Sequence, residues 1–532
     1  MNNKLYLNYF EDQLELFPSI NVYLNLPQYN HLNHLQENSY SNEHIKKQKE
    51  FCYKYLKILD PKKNKNIYDK LIYYNCKKSL DFLNSNLIYL PINHVNNDLI
   101  YLMEIGSDTN ILNSISKKDY DNVIKKLNKL EEITNSIINL FKLGIEKKIV
   151  LPKIIGKKLC EQFISFKKNK SYMISKIKIK LDYDFNNKLE ELILPQLDKI
   201  ILFFKKTYNK HCLSNISLGN LPNGKKMYKI LVSSSLSLKN ISIKNIHMYG
   251  LKEVNRIEIE MNKIKKHYNF QGNLKDFFTQ VKSLNQYKFK STNDVLSFYK
   301  NTIKHINKNI LPKYFDINVK NIKCDLKTIP QFNEDFSGEA YYIQGDILNK
   351  RKGTFYINLK NFKQNNKVEG LSLTLHESNP GHHYQSAYVI ESKNIPLFVK
   401  IYLSEAYSEG WALYVENLGD YDNITLFGKY INEMLRAVRL VVDTGIHYYN
   451  WSYEKAFNYM KKYLFDSDDQ IHTQVLRYIA IPSQALSYKM GEKFFLNLLK
   501  EEQQKPNFNI KKFHNKILEH GSIPLFLLKE KF

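Results

Sequence analysis

The chain has 532 residues, of which 43% are hydrophobic and 13% aromatic, enough to bury a large core. Only 18 Gly and 14 Pro occur, which excludes a collagen-like or linker-rich protein and disfavours a many-turned all-β fold. The formal net charge is +26, but the excess lysine is spread along the chain and accompanies no nucleic-acid-binding motif. We therefore expect no nucleic-acid partner.

The five cysteines are widely spaced and form no C-x-x-C pair, so we expect neither a disulfide framework nor a cysteine-based zinc site. The first residues lack the basic flank, apolar run and cleavage site of a signal peptide. No run of 18 apolar residues predicts a membrane span. These features predict a cytoplasmic protein without a membrane partner, and they leave its oligomeric state open.

Residues 1–115 are irregular and rich in Asn and Tyr, and we expect a peripheral N-terminal subdomain there. Residues 116–532 are predicted to form one helical body. Apolar side chains recur at the 3.6-residue spacing of a helix in several segments of this body. Before the strand-like region these segments are Tyr120–Leu143, Leu189–Phe204, Val254–Tyr268 and Val295–Asn307, and helical patterns return after residue 370.

Two short runs rich in Tyr, Phe and Ile, Ala340–Gln344 and Thr354–Leu359, predict a hairpin or a pair of neighbouring strands. The predicted fold class is therefore mainly α with a small β-sheet near residues 340–360. Thr354–Asn358 is interpreted either as an edge strand that pairs with an extended peptide or as an ordinary strand of the sheet.

The segment with the clearest chemistry begins with an apolar helix that leads into His376 and Glu377. In the zincin motif H-E-x-x-H, two imidazoles four residues apart share one helix face and bind one Zn²⁺, while the Glu lies beside the metal-bound water. In this chain the next histidines are His382 and His383, too far along a continuous helix to share a metal with the first.

The intervening Pro380 and Gly381 offer a solution, because Pro cannot continue the helical ladder and Gly accepts unusual dihedral angles. A two-residue bulge at this step would restore the usual spacing between His376 and His382. We therefore expect His382 to be the second ligand, with His383 as the alternative.

A third ligand is expected on a following helix, where 26 residues separate Glu409 from His382 and Gly410 would allow close backbone approach. Glu405 lies one turn earlier on the same face and could support the ligands. Glu416, two turns later, is interpreted as a solvated or structural carboxylate. Two His and one Glu leave a fourth position for water, as in a catalytic zinc site.

The stretches H-E-S-N-P-G-H-H from His376 and E-G-W-A from Glu409 resemble the signature of a large family of predicted zinc metallopeptidases, domain of unknown function 885. The likeness covers roughly residues 190–500. The resemblance implies a helical, gluzincin-like fold with a deep cleft, of the kind seen in thimet-type oligopeptidases, and it says more about fold and metal than about substrate. We expect the substrate to be a peptide that fits the cleft.

A polar stripe of Arg439, Asp443 and His447 recurs every four residues on an otherwise apolar helix, Leu435–Tyr448. It is either a buried structural network or a part of the site. In the second interpretation Asp443 accepts from a ligand His, His447 donates to the oxyanion, and Arg436 or Arg439 receives a substrate carboxylate.

Two tyrosines further along the chain, Tyr478 and Tyr488, are candidate oxyanion donors at the wall of the site, although most tyrosines serve packing. The sequence thus predicts one Zn²⁺ per chain held by the two His and the Glu, with Glu377 as general base. The same ligands accept Mn²⁺ or Co²⁺. Hydrolysis of another amide or ester, or an inactive metal-binding protein, are the alternatives.

Overall fold

The computed structural model of the protein describes residues 3–60, 66–104, 117–171, 183–316, 323–329, 334, 338–348, 351–360, 362–363 and 365–532. Of the described residues, 69% are helical and a few form one small three-stranded sheet, which confirms the predicted mainly α class. Within the described ranges, no helix combines the length and the apolar character needed to cross a bilayer.

The α-helices that precede residue 240 are α1 (Asn3–Leu16), α2 (Ile20–Leu24), α3 (Asn42–Ile58), α4 (Ile67–Leu83), α5 (Asp98–Glu104), α6 (Lys117–Leu127), α7 (Leu130–Glu146), α8 (Lys153–Lys168), α9 (Tyr183–Phe203), α10 (Asn209–His211) and α11 (Gly224–Leu236). Those between residue 240 and the sheet are α12 (Ile243–His267), α13 (Leu274–Ser283), α14 (Thr292–His305) and α15 (Leu311–Tyr314). Those that follow the sheet are α16 (Gly370–Glu377), α17 (His382–Glu391), α18 (Leu397–Lys400), α19 (Glu405–Val415), α20 (Asn423–His447), α21 (Tyr453–Tyr463), α22 (Asp468–Ala480), α23 (Ser487–Glu502), α24 (Ile510–Leu518) and α25 (Leu525–Lys529).

The predicted helical segments Leu189–Phe204, Val254–Tyr268 and Val295–Asn307 correspond to α9, α12 and α14. Their C-terminal ends agree within two residues, whereas all three helices begin earlier than predicted. The predicted helix Tyr120–Leu143 is instead two helices, α6 and α7. The N–H of Lys129 donates to the carbonyl three residues back, at Lys126, rather than four back. This tighter turn ends α6 before α7 begins.

The sheet contains β1 (Asp325–Thr328), β2 (Ala340–Ile343) and β3 (Thr354–Ile357) in the order β1-β3-β2. Strand β2 pairs antiparallel with β3, as predicted for neighbouring strands, and β1 adds a parallel partner that the sequence did not reveal. Because β3 is paired on both sides, the interpretation of Thr354–Asn358 as an edge strand is wrong and the ordinary-strand alternative holds. Within the described part of the chain, β1 and β2 are the outer strands of this sheet.

The described chain packs as two compact units. The first comprises Met1–Leu231, Ile446–Tyr453 and Thr473–Pro482, and the second comprises Val232–Gly445, Glu454–His472 and Ser483–Phe532. The predicted boundary between residues 115 and 116 falls within 105–116, outside the described residues. The motif helices α16, α17 and α19 all belong to the second unit.

In the second unit the sheet packs on α14 through a buried apolar cluster that includes Val295, Tyr299, Phe355 and Ile357. A second cluster joins Leu375 of α16 to the residues that follow α14. Burial of these side chains fixes the C-terminal end of α16, where the histidine motif begins.

Candidate metal centre

The chain between the first two histidines of the motif leaves the helix and then re-enters it. Helix α16 ends at Glu377 and α17 begins at His382, with a cis peptide bond between Asn379 and Pro380. The indole Nε1 of Trp411 donates to the carbonyl of Pro380 at 2.9 Å, which holds this break in place. The predicted departure from the helix therefore spans four residues.

Gly381 is required at this break for a steric reason. A Cβ atom at this position would overlap the carbonyl oxygens of His376 and Leu375. Only a residue without a side chain allows α17 to start so close to the end of α16. This close approach brings the ring of His382 to 4.9 Å from the ring of His376, measured between centroids.

Helix α19 supplies Glu409 and lies very close to α23. A Cβ atom at Gly410 would overlap the backbone of Gly491, and one at Gly491 would overlap the carbonyl of Ala406. The predicted close backbone approach at Gly410 is therefore confirmed, with α23 as the helix that approaches. This packing fixes α19 so that the Glu409 side chain faces the two histidines.

Three ligand-type side chains meet at one point: His376, His382 and Glu409, each offering one atom within 4.8 Å of the others. The Nε2 atoms of the two histidines lie 3.6 and 3.5 Å from Oε2 of Glu409. These separations exceed ordinary hydrogen bonds. Two ligand atoms bound tetrahedrally at ~2.1 Å would lie about 3.4 Å apart, so the three residues fit one Zn²⁺.

The other ring nitrogen of His376 is held by a buried carboxylate. Oε1 of Glu416 lies 2.8 Å from Nδ1, and its second oxygen accepts from Oγ of Ser372 at 2.6 Å. Glu416 is only 1% exposed, so the solvated interpretation of this residue is wrong and the structural one holds. A carboxylate on Nδ1 orients the imidazole and leaves Nε2 for the metal.

The histidines and carboxylates of this group shift one another's pKa values. Burial lowers the pKa of His376, but the carboxylates of Glu409 and Glu416 outweigh it and raise that pKa to about 9. Burial raises the pKa of Glu409, yet His376 and His382 hold it well below its ordinary value. The Glu416 pKa is also lowered, because His376 offsets its burial. Both carboxylates are therefore anionic at neutral pH, as metal binding requires.

His382, and not His383, joins His376 and Glu409 in the group of ligand-type side chains. Nδ1 of His383 lies 3.2 Å from the hydroxyl of Tyr342, and the His383 ring is 2% exposed. Tyr342 also stacks on His382, with ring centroids 6.5 Å apart and an interplanar angle of 18°. Ser408 Oγ lies 3.4 Å from Nδ1 of His382. His383 therefore contacts Tyr342, and Tyr342 in turn contacts His382.

A cavity of about 270 Å³ opens beside the ligands. Its wall includes His382, Glu409 and Tyr342 together with apolar side chains such as Val389 and Leu403. Burial raises the pKa of Tyr342, with the charge of Cys324 as a smaller cause, so its hydroxyl stays protonated. The protonated phenol of Tyr342, which lines this 270 Å³ cavity, can therefore donate a hydrogen bond.

The predicted general base, Glu377, follows His376 directly and is 8% exposed. Its negative charge contributes to the raised pKa of that histidine. Glu405, predicted to support the ligands, is half-buried at the start of α19 and accepts from Oγ of Ser487 at 3.3 Å. Its support of the ligands stays a prediction, whereas Glu416 has the direct contact.

The predicted polar stripe of α20 contacts other groups. The carboxylate of Asp443 accepts the backbone N–H of Ser483 at 2.9 and 3.1 Å. The guanidinium of Arg439 lies over the Tyr488 ring, 4.5 Å from its centroid. Glu416, rather than Asp443, is the acceptor on the ligand His376, so the assignment of that role to Asp443 is corrected. The oxyanion role of Tyr488 stays a prediction.

Arg436 is half-buried, and its Nη1 donates to the carbonyl and side chain of Asn432. The amide of Asn432 lies 3.4 Å from Oγ of Ser372, which in turn donates to Glu416. A short polar chain therefore runs from Arg436 to His376. Recognition of a substrate carboxylate by Arg436 or Arg439 stays a prediction.

His447 and Tyr478 belong to the first unit, whereas the three ligands belong to the second. Nδ1 of His447 accepts the N–H of Leu218 at 3.1 Å, and Nε2 lies 2.9 Å from the carbonyl of Tyr478. Burial lowers the pKa of His447 to about 4. The Tyr478 hydroxyl donates to Gln474 at 2.9 Å. These contacts favour the structural interpretation of His447 over the oxyanion role.

Sequence reasoning missed the roles of two residues, Glu416 and Tyr342. Glu416 lies seven residues after Glu409, two turns along a helix, so the spacing already indicated that both carboxylates could face the same side. In the structure Glu416 directly follows the last residue of α19. Tyr342 had no local signal, because its approach to His382 depends on how the sheet packs against α17. Burial and distance, rather than spacing, assign these two residues to the site.

Comparison with solved structures shows where the fold occurs elsewhere. The crystal structure of a protein described as a putative lipoprotein from Colwellia psychrerythraea superposes with a TM-score of 0.86 at 21% identity, covering 99% of this chain and 97% of that one. A protein of Shewanella oneidensis, described as a putative lipoprotein of unknown function, gives a TM-score of 0.72 at 15% identity, with coverage of 99% and 98%. At these identities the likeness concerns the fold.

Comparison with curated proteins finds no match. The family DUF885, described as bacterial protein of unknown function, matches residues 18–532. This match includes all three ligand-type residues, the carboxylate behind His376 and the whole sheet. Because it extends over nearly the whole length, the chain belongs to the DUF885 family.

Proposed function

We propose that the protein is a zinc-dependent hydrolase that cleaves peptides. One observation supports the proposal above all others: ligand atoms of His376, His382 and Glu409 lie within 4.8 Å of one another. Among the described residues, no fourth His, Cys, Asp or Glu joins this group. An incomplete protein ligand set is typical of catalytic zinc sites, whereas structural sites are closed by four protein ligands.

When bound, Zn²⁺ would lower the pKa of a water molecule and polarise a carbonyl group. Glu377 would take the proton from that water and deliver it to the leaving amine, because its carboxylate directly follows the first ligand. Glu416 would keep His376 in the tautomer that presents Nε2. Tyr342 would donate a hydrogen bond to the oxygen that becomes negative during attack.

The metal assignment has its own test, independent of turnover. Elemental analysis of the purified protein should give one zinc per chain, and His382→Ala should remove it. His383→Ala is the matched control, since this neighbouring histidine faces Tyr342 and should leave the zinc in place. An unchanged zinc content in His382→Ala would show that the ligand set is incorrect. A different native metal would appear in the same measurement.

The catalytic assignment is tested with a panel of internally quenched peptides. The parent protein should cleave members of the panel, chelator should abolish cleavage, and added zinc should restore it. Glu377→Gln should keep the metal and lose turnover. Normal cleavage by this variant would contradict the role of Glu377. Cleavage of simple esters or amides but not of peptides would favour the other hydrolase, and metal without any turnover would favour a metal-binding protein.

A further inference from the structure

A second and larger cavity, of about 730 Å³, lies between α14, the turn that follows it, and residues 323–327. Five of the ten residues that line it are lysines. Lysine and arginine together make up 79 of the 532 residues of the chain, so this cavity is far more basic than the composition alone would give. Of the described residues in its wall, Asp325 alone is acidic.

These five lysines reach the cavity from two segments of the chain. Lys300, Lys304 and Lys308 recur every four residues, which puts them on one side of a helical segment. Lys323 and Lys327 come from the opposite wall. All five are exposed, and none of their ammonium groups forms a hydrogen bond or ion pair with another described residue. Five positive charges therefore converge on a wall in which Asp325 supplies one negative charge, and this excess favours an anionic ligand.

The floor and one edge of this lysine-lined cavity suit an extended chain. Ile303 and Cys324 are buried and form an apolar floor. Among the described strands β1 lies at an edge of the sheet, and its pairing with β3 uses the N–H groups of Asp325 and Ile329. By strand alternation the backbone groups of Leu326 and Thr328 point away from β3. Unpaired edge groups of this kind bind extended peptides by strand addition.

The lysine-lined cavity also borders the candidate catalytic segment. The side-chain oxygen of Asn307, in the cavity wall, accepts from the amide of Asn379 at 2.8 Å. Asn379 belongs to the break between the two histidine ligands. Burial raises the pKa of the Cys324 thiol, and the negative charges of Asp325 and Glu377 raise it further. A ligand in this cavity would therefore lie next to the general base.

We propose that the lysine-lined cavity binds the acidic part of an extended peptide substrate, and so gives the enzyme a preference for peptides rich in Asp and Glu. This preference rests on the proposed peptidase function. A nucleic acid would use the same positive charge. It fits the cavity less well, because none of the ten described lining residues is aromatic and these offer no ring on which bases could stack.

The test measures binding without turnover, in the full-length Glu377→Gln variant. The probe is a fluorescein-labelled ten-residue peptide with Glu at alternate positions, and the matched control peptide has Lys at those positions. Fluorescence anisotropy at low and physiological ionic strength should show tighter binding of the acidic peptide, by about tenfold or more, and weaker binding at the higher salt.

Two charge-reversal variants locate the site of binding. Lys304→Glu with Lys308→Glu should weaken binding of the acidic peptide by about tenfold or more. Lys512→Glu is the matched control, because this exposed lysine of α24 lies outside the lining of the cavity and should change nothing. Since all three lysines are exposed, the folds of these variants should be preserved, and circular dichroism verifies this.

Equal binding of the two peptides, or an unchanged affinity in the Lys304 and Lys308 variant, would overturn the cavity proposal. Tighter binding of a single-stranded oligonucleotide of equal charge would overturn it in favour of nucleic acid. Failure of the peptidase proposal looks different: the acidic peptide would still bind and still depend on these lysines, but the parent protein would not cleave it.

Discussion

His376 of the second unit and His447 of the first are both almost fully buried, at 4% and 1% exposure, yet their rings have different partners. The Nδ1 atom of His376 faces a carboxylate, and its Nε2 faces two further ligand-type groups. Both nitrogens of His447 are engaged by the backbone of Leu218 and Tyr478. The pKa values move accordingly, to about 9 for His376 and about 4 for His447.

This difference shows that burial alone does not make a histidine a ligand. A carboxylate on one ring nitrogen orients the imidazole and leaves the other nitrogen available for a metal. Backbone groups on both nitrogens satisfy the ring and fix it as a structural element. Replacing each histidine by alanine should therefore have opposite consequences: zinc binding should be lost at His376 and kept at His447.

The largest effect is expected for zinc content. His376→Ala should abolish stoichiometric zinc binding, because it removes a ligand, as elemental analysis of the purified variant would show. His447→Ala should retain one zinc per chain but lower the free energy of unfolding by about 2–4 kcal/mol, since it loses two buried hydrogen bonds and leaves a cavity. Loss of zinc from a folded His447→Ala protein would erase the distinction between the two regions.

The next largest effect is on kcat, and it should differ between two tyrosines. Tyr342→Phe should lower kcat for peptide hydrolysis by about 10²–10³-fold while zinc content stays the same, because a hydrogen bond to the developing oxyanion is lost. Tyr478→Phe should leave kcat unchanged, since its hydroxyl donates to Gln474 in the first unit. Kinetics on one quenched peptide compare both variants. A larger decrease in Tyr478→Phe would reverse the assignment.

A smaller effect, on zinc affinity, is expected for Glu416, whose carboxylate contacts Nδ1 of His376. Glu416→Gln should weaken zinc binding by about 10–100-fold, because the neutral amide no longer holds His376 as the carboxylate does. Glu405→Gln, at the start of α19, is the comparison: if Glu405 also supports the ligands, as predicted, its zinc affinity should fall too, and an affinity equal to that of the parent would contradict that support. Competition with a zinc-binding dye measures both. Equal affinities in all three proteins would show that Glu416 is only structural.

The smallest effect concerns pH and His447. Its folded-state pKa of about 4 lies below the unfolded value of ~6.5, so the unfolded chain binds the proton first as pH falls. The stability that comes from this group is present above pH ~6.5 and is lost progressively towards pH ~4. Between pH 7.5 and pH 5 the loss should be about 2 kcal/mol.

Urea unfolding of the metal-free protein at these two pH values measures this loss, and His447→Gln is the comparison. The decrease between pH 7.5 and pH 5 should be smaller in the variant by about the same amount, about 2 kcal/mol. His514, whose pKa burial also lowers to about 4, is present in both proteins, so its contribution cancels in the comparison. An identical pH dependence in the two proteins would contradict the buried, neutral state of His447.

Much of the fold class could be predicted from the sequence, because helical periodicity survives in segments such as Val254–Tyr268 and Val295–Asn307. The β2–β3 pair was also visible, since its aromatic and branched residues stand out in a helical chain. Strand β1 was not, because Asp325–Thr328 contains two charged residues and has no alternating pattern. Parallel pairing between distant segments has no local signal in the sequence.

The sequence by itself determined the ligand types and their order: a histidine, a glutamate beside it, a Pro–Gly interruption, a second histidine and a distant glutamate. These depend on local chemistry, namely the donor atoms of each side chain and the dihedral freedom of glycine. Tertiary structure decided which of two adjacent histidines joins the group, which carboxylate supports His376, and that the backbone of Leu218 and Tyr478 engages both nitrogens of His447. Each of these depends on distances between segments far apart in the chain, and such distances are set only when helices and sheet pack together.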